Sequence, residues 1–293
     1  MKLDAKCYGC LVGRSVHMAE QQPKDERRGA FIRDCLRVLL EEPREVTSPY
    51  LLSRFNREYT KYYEIADQYE EQKKFSNRFA MKRSPQVKAV LETAADPVET
   101  ALKFARMGNY IDFGALGDAV NEKDFNILMD QAVNDTIEPV EYTRFIQDLR
   151  TAKKLLYITD NAGEIVMDKL LIEEIQHRFP DLSICVAVRG APVLNDATME
   201  DAVEIGLDKI VRVIDNGNDV GGTYIPELSE EMRHELETAD VILAKGQGNF
   251  ETMLGCGLNV YYVFLCKCQF FVELFGVEQM TGMFINERRI KMP

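Results

Sequence analysis

The chain has 293 residues, 46% of them apolar and 29% charged, with a formal net charge of −12. That length suffices for one large domain or two modest ones around a sizeable core. The acidic balance speaks against a nucleic-acid partner, because a phosphate backbone needs a positive face, and solubility is the plainer reading of the charge. No run reaches the roughly 18 apolar residues that a membrane helix needs, so no membrane partner is expected. The first ten residues are polar and carry no secretory pattern. Seven unevenly spread cysteines then read as reduced thiols or ligands rather than as a disulfide frame, and the expected compartment is the cytosol.

From residue 1 to about 150 the pattern is helical. Apolar residues recur at three- and four-residue spacing, as in Phe31, Cys35, Val38 and Leu39, and then Leu51, Phe55, Tyr59, Tyr62 and Tyr63. Pro43, Pro49, Pro85 and Pro97 punctuate these segments, each read as close to a helix start. The run Asp96-Pro97-Val98-Glu99 combines an N-cap, a first-turn proline and an early acid; it predicts a helix to Met107 that Gly108 ends. The tyrosine-rich, charged stretch 59–74 reads as an exposed helix face.

From about residue 151 the grammar changes. β-rich runs at 154–159, 183–188, 209–214, 241–244 and 259–265 alternate with helical patterns at 165–178, 199–206 and 227–237. This predicts an α/β fold in three layers, a mostly parallel sheet with helices on both faces. The runs 155–158 and 241–243 are apolar without a polar alternate, as buried parallel strands are. The expected division is a helical domain over 1–150 and an α/β domain over 151–293. Cys35 and Cys185 fall in apolar patterns and are expected in the core.

In such a sheet, ligands bind outside the carboxyl ends of the strands. The first strand ends in Asp160-Asn161-Ala162-Gly163-Glu164, with a carboxylate and an amide at the tip and an acid in the next helix turn. The second ends in Arg189-Gly190-Ala191-Pro192 and leads to Leu194-Asn195-Asp196-Ala197-Thr198. Either acid–amide pair alone is also an ordinary helix cap. Two at neighbouring tips point further, to Asp160, Asn161 and Asp196 as hard oxygen ligands suited to Mg²⁺ or Mn²⁺. None of the three histidines lies at a strand tip, which speaks against a histidine-rich zinc centre. The third strand leads into the glycine- and asparagine-rich loop 215–223, read as a ligand-approaching turn or a flexible one. The fourth ends in Lys245-Gly246-Gln247-Gly248-Asn249-Phe250-Glu251, where a lysine, two glycines and a helix start read as a phosphate cradle. Neither a Walker A order nor a dinucleotide fingerprint is present. An acid-rich metal site beside a basic anion site fits metal-assisted phosphoryl transfer on a small phosphorylated metabolite.

These residues resemble the damage-control phosphatase family, long labelled domain of unknown function eighty-nine. The resemblance rests on the runs at 160–164, 189–198 and 245–251, joined by Gly108-Asn109-Tyr110-Ile111-Asp112-Phe113-Gly114 in the helical half. It implies a helical domain on a Rossmann-like α/β domain, and phosphatase activity with a divalent metal such as Mg²⁺, Mn²⁺, Co²⁺ or Ni²⁺. By position it implies Asp160, Asn161 and Asp196 as metal ligands and Lys245 as a catalytic, phosphate-contacting lysine. It also implies that Asn109 and Asp112 belong to the segment by which the helical domain approaches the site. Arg189, Asn195, Gly246, Gly248 and Asn249 are expected to face the substrate, and Glu164 and Glu251 to support catalysis as water-orienting or supporting groups.

The chain also looks like the prokaryotic-type subgroup that carries an N-terminal Cys-x-x-Cys, here Cys7-Tyr8-Gly9-Cys10. The pair reads as half a zinc site, a redox pair or incidental thiols. Cys266 and Cys268 would complete four thiolates for Zn²⁺ if the N-terminus folds back. The competing functional reading is a transferase or binding protein that holds a nucleotide or phosphometabolite without cleaving it.

Overall fold

A computed structural model describes residues 3–43, 45–64, 69–108 and 122–290. Three helices come first, α1 (Ala5–Glu20), α2 (Glu26–Glu41) and α3 (Ser48–Tyr59). Asp4 and Asp25 cap the first two, accepting from the backbone N–H of Lys6 and Arg27. The long α4 (Glu70–Thr93) follows, then α5 (Pro97–Gly108), α6 (Glu122–Asn134) and α7 (Pro139–Thr151). Asp96 caps α5 as the sequence predicts, its Oδ1 accepting from Glu99 N–H at 3.2 Å. Pro85 departs from expectation, since it lies inside α4 rather than near a helix start. An interior proline costs about 3 kcal/mol, through a lost N–H and a clash with the carbonyl four residues back. Here that carbonyl, of Met81, accepts the Ser84 hydroxyl instead (2.9 Å).

The second half alternates β1 (Lys154–Ile158), α8 (Glu164–Arg178), β2 (Ser183–Val188), α9 (Met199–Glu204), β3 (Arg212–Asp215) and α10 (Glu230–Thr238). It continues through β4 (Val241–Lys245), α11 (Gln247–Met253), β5 (Val260–Leu265), α12 (Gln269–Phe275) and β6 (Gly282–Asn286). The sheet order is β3-β2-β1-β4-β5-β6, parallel except for β6 against β5. The order reverses direction between β1 and β4, which places a crevice at their carboxyl ends. The sequence reading missed β6, whose pattern follows no βα alternation because it returns antiparallel at the edge.

Alternate strand residues face opposite layers. Leu155, Tyr157, Val186, Leu243 and Val263 join one core, while Leu156, Ile158, Ala187, Ile242 and Tyr262 join the other. The first core also contains Val87 and Leu91 of α4, Ala101 and Leu102 of α5, and Phe145 of α7. The hydrophobic core therefore does not stop at residue 150, because helices of the first half form part of the layer that covers one face of the sheet. α1–α3 close over a smaller core, with Phe31, Leu51 and Phe55 in it, which Val220 of the loop after β3 joins. Among its described residues the stretch 59–74 is not the single exposed helix face the sequence suggests: α3 ends at Tyr59, α4 begins at Glu70, and Tyr59, Tyr63 and Lys73 are buried. Cys35 and Cys185 are buried as expected. No helix among the described residues is long and apolar enough to cross a membrane.

Candidate active site

The turns after β1 and β2 are zipped together by their backbones. Ala197 N–H donates to the Asp160 carbonyl (2.7 Å), Ala162 N–H donates to the Asn195 carbonyl (2.9 Å), and Asn161 pairs with Asp196 as an isolated antiparallel bridge. Two acids distant along the chain, and the amide between them in the reading, thus share one place. Burial comes first in pushing Asp160 up to about 8, and the neighbouring Asp196 and Glu164 carboxylates add to it against Arg189 and Lys267. Burial also raises Asp196, with Arg189 opposing. Asn161 Nδ2 donates to Asp160 Oδ2 at 2.8 Å and to Glu164 Oε2 at 3.2 Å.

Arg189 is the cation of this cluster. Its side chain is 1% exposed, and its Nε donates to Asp196 Oδ2 at 2.6 Å. Asn249 holds it from the other side, accepting from Nη1 at 3.2 Å. Asn249 is itself fixed by donating to the carbonyls of Thr159 (3.0 Å) and Lys245 (2.6 Å). Nη2 lies 3.6 Å from Asp160 Oδ1 and is buried without a hydrogen-bond partner. A buried donor left unmade costs about 1–3 kcal/mol, so such a group marks a place where a ligand oxygen fits.

The expected phosphate cradle after β4 is built differently. Lys245 is wholly buried. Its Nζ donates to Glu164 Oε1 (2.6 Å), Asp168 Oδ1 (2.7 Å) and the Ala105 carbonyl (2.7 Å), which uses every ammonium proton. Burial works against the charge, but Asp168 and Glu164 outweigh it and the lysine's pKa rises. Asp168 is raised by burial to about 6, although Lys245 pulls it down, and Tyr157 donates to the same carboxylate at 2.6 Å. Gly246 N–H is spent on the Val263 carbonyl. A Cβ on Gly246 would sit 2.1 Å from the Asp160 carboxylate, and one on Gly248 would sit 2.1 Å from the Gly221 carbonyl. The glycines therefore allow close packing of the acid turn and of loop 215–223. That loop is also no loose turn, because the buried Asn216 accepts from the N–H groups of Gly190 and Asn218.

Three supporting residues escaped the sequence reading. Asp168 stands one helical turn after Glu164 on α8, and that four-residue spacing of acids on an apolar helix was its only signal. Asn77 and Lys73 come from α4. Asn77 Oδ1 accepts from Gly163 N–H (2.7 Å), and its Nδ2 donates to Asp201 and Glu204 (each 2.9 Å). Lys73 pairs with Asp201 at 2.8 Å. Long-range pairings of this kind have no local signature. Glu251 lies apart from the acid pair, hydrogen-bonded to Gln247 at 2.9 Å, and burial pushes it up to about 7. Asn109 and Asp112 lie outside the described residues. Cys7 and Cys268 are half-buried, Cys10 is exposed and Cys266 is buried, all as free thiols. Among the described residues no three His, Cys, Asp or Glu side chains are grouped to hold a metal, so the four-thiolate arrangement is not assembled.

The acid pair has a different donor set, two carboxylates and the Asn161 amide. Asp160, Asp196, Glu164 and Asp168 are paired directly with Arg189 and Lys245, with Lys267 and Lys73 acting on Asp160 and Asp196 from farther off. Hard oxygens, and neighbouring buried carboxyls whose ionised form a bound cation would stabilise, fit a divalent ion such as Mg²⁺ or Mn²⁺.

Comparison with known proteins agrees in extent. The family described as "Damage-control phosphatase ARMT1-like domain" matches residues 3–283. A protein of Archaeoglobus fulgidus named damage-control phosphatase is 33% identical over 273 residues, 92% of this chain and 93% of that protein. One of Pyrococcus horikoshii, also named damage-control phosphatase, is 30% identical over 272 residues, 92% of each. The crystal structure of a DUF89 family protein from Pyrococcus horikoshii superposes with a TM-score of 0.84 at 26% identity, covering 98% of this chain and 99% of that one.

Proposed function

Because the chain belongs to the damage-control phosphatase ARMT1-like domain family, we propose that it is a divalent-metal-dependent phosphatase that removes phosphate from small phosphorylated metabolites in a house-cleaning role. One observation carries the reading: Asp160, Asn161 and Asp196 converge at the tips of β1 and β2 beside an arginine whose buried Nη2 lies 3.6 Å from Asp160 and has no hydrogen-bond partner. Asp160, Asn161 and Asp196 would hold the cation. When bound, Mg²⁺, Mn²⁺, Co²⁺ or Ni²⁺ supplies Lewis-acid polarisation of the phosphoryl group.

The chain's own residues do the rest. Arg189 Nη2 binds a phosphoryl oxygen and stabilises the charge that grows on it during transfer. Asn249 aims that guanidinium. Glu164 orients the Asn161 amide rather than touching substrate, and Lys245 holds Glu164 and Asp168 in place instead of gripping phosphate. The test is hydrolysis of para-nitrophenyl phosphate by metal-stripped protein with each cation restored, for the wild type and Asp160→Ala. We expect turnover only with metal, abolished in the variant. Thermal stabilisation by nucleotides with no metal-dependent turnover would reject this reading in favour of a binding protein.

A further inference from the structure

A cavity of about 510 Å³ is walled by α1, α3 and the loop between β2 and α9. That loop is the one that carries the acid pair's second member. Leu194 lines the cavity, and the next two residues are Asn195 and Asp196. Leu194 takes a left-handed backbone conformation, φ +48°, which a side chain with a Cβ rarely adopts. The bend places Leu194 on the cavity wall, while Asp196 two residues on meets Arg189.

The cavity's charge is unevenly committed. Arg57, one lining arginine, is bound to Asp219 (2.8 Å) and Glu227 (2.7 Å). Arg14, the other, makes no ion pair or hydrogen bond among the described residues, and its Nε is buried without a partner. Leu52, Tyr59 and Leu194 supply apolar wall beside it. Asp219 is also in the lining, fixed by Arg57 and by the Ser53 hydroxyl at 2.6 Å, and it disfavours an anion at its own end.

We propose that this cavity is the leaving-group pocket of the phosphatase, and that it selects phosphomonoesters whose organic part carries a second anionic group gripped by Arg14. The proposal rests on the phosphatase reading and adds a substrate class to it. A carboxylate or second phosphate matches the planar guanidinium fork and satisfies the orphaned Nε. The volume falls in the range of small-molecule sites, and the apolar wall takes the body of the ligand.

The experiment compares phenyl phosphate with 4-carboxyphenyl phosphate, which differ by one carboxylate. In the wild type, kcat/KM for the carboxylated ester should exceed that for the plain ester by about tenfold, the worth of one charge-assisted contact. Arg14→Gln should bring the ratio to near one, and Arg14→Lys should restore part of it. A wild-type ratio near one, or a ratio unchanged by Arg14→Gln, overturns the pocket. Calorimetry with 4-phosphonobenzoate and phenylphosphonate separates the two claims. If neither ester is hydrolysed with any divalent metal, the phosphatase reading fails and binding alone decides. Tighter binding of the carboxylated phosphonate, lost in Arg14→Gln, then upholds the anion pocket, and equal affinities overturn it.

Discussion

Two groups of buried charge sit at neighbouring strand ends, and they are built to opposite rules. After β4, Lys245 meets Glu164, Asp168 and a main-chain carbonyl, so its ammonium has no donor left. Across the tips of β1 and β2, Asp160 and Asp196 face each other with one arginine between them, and that arginine keeps an unmatched Nη2. Lys245 has no donor left, although Asp168 Oδ2 beside it is buried without a hydrogen-bond partner, whereas Arg189 keeps a free donor; on the proposed function the first cation braces the fold and the second receives the ligand. Position at a strand tip does not by itself distinguish the two; whether the cation's donors are all spent does.

Breaking each group should produce opposite effects. Asp160→Asn should cut metal-dependent turnover by about a thousandfold or more, while raising stability without metal, because it removes a buried carboxylate from beside two others. Activity and melting temperature measured together check this, and a parallel fall in both would mean the acid pair is structural. Lys245→Met should destabilise the fold by about 3 kcal/mol in urea unfolding, because it strands Glu164 and Asp168 in the interior. A neutral result would deny its bracing role. Asn77→Ala should cost about 2 kcal/mol and slow turnover, since Gly163 N–H loses its acceptor and the acid turn its anchor on α4. Turnover of this variant should stay low at saturating substrate, which a kcat measurement reads directly.

The smallest effect concerns Glu251, outside both groups. Burial raises its pKa to about 7 from the usual carboxylate range. Between those values the folded state holds the proton more tightly than the unfolded chain does. Its contribution is therefore present at acid pH and is lost as pH rises through about 7. Glu251→Gln should flatten that part of the stability-versus-pH curve and raise stability at pH 8 by about 1–2 kcal/mol, after allowance for its partial exposure. Parallel curves for the variant and wild type would show that Glu251 titrates normally.

Much of this molecule was open to reading from local pattern. The five parallel strands, the cap at Asp96 and the Asp160-Asn161 and Asn195-Asp196 turns all follow from short-range rules of periodicity, capping and strand-tip placement. The local pattern around Lys245 did not reveal that its ammonium meets Glu164, Asp168 and the Ala105 carbonyl. A lysine after a buried strand beside glycines has the same local grammar whether it faces a ligand or two acids from a helix many residues away. Pro85 departs for a local reason instead: it continues α4, and the Met81 carbonyl that loses an N–H there accepts from the adjacent Ser84 hydroxyl.

What the sequence by itself determined is the alternation of elements and the chemical kind of group at each strand end, since backbone preference and hydrophobic period act over a few residues. The tertiary structure alone decided which of those groups are satisfied. It joined α4 and α5 to the sheet's own core, brought β6 back antiparallel, and turned Lys245 inward while leaving Arg14 and Arg189 with donors to spare. Those outcomes depend on partners far apart in the chain, and a charge acquires its role from what surrounds it after folding.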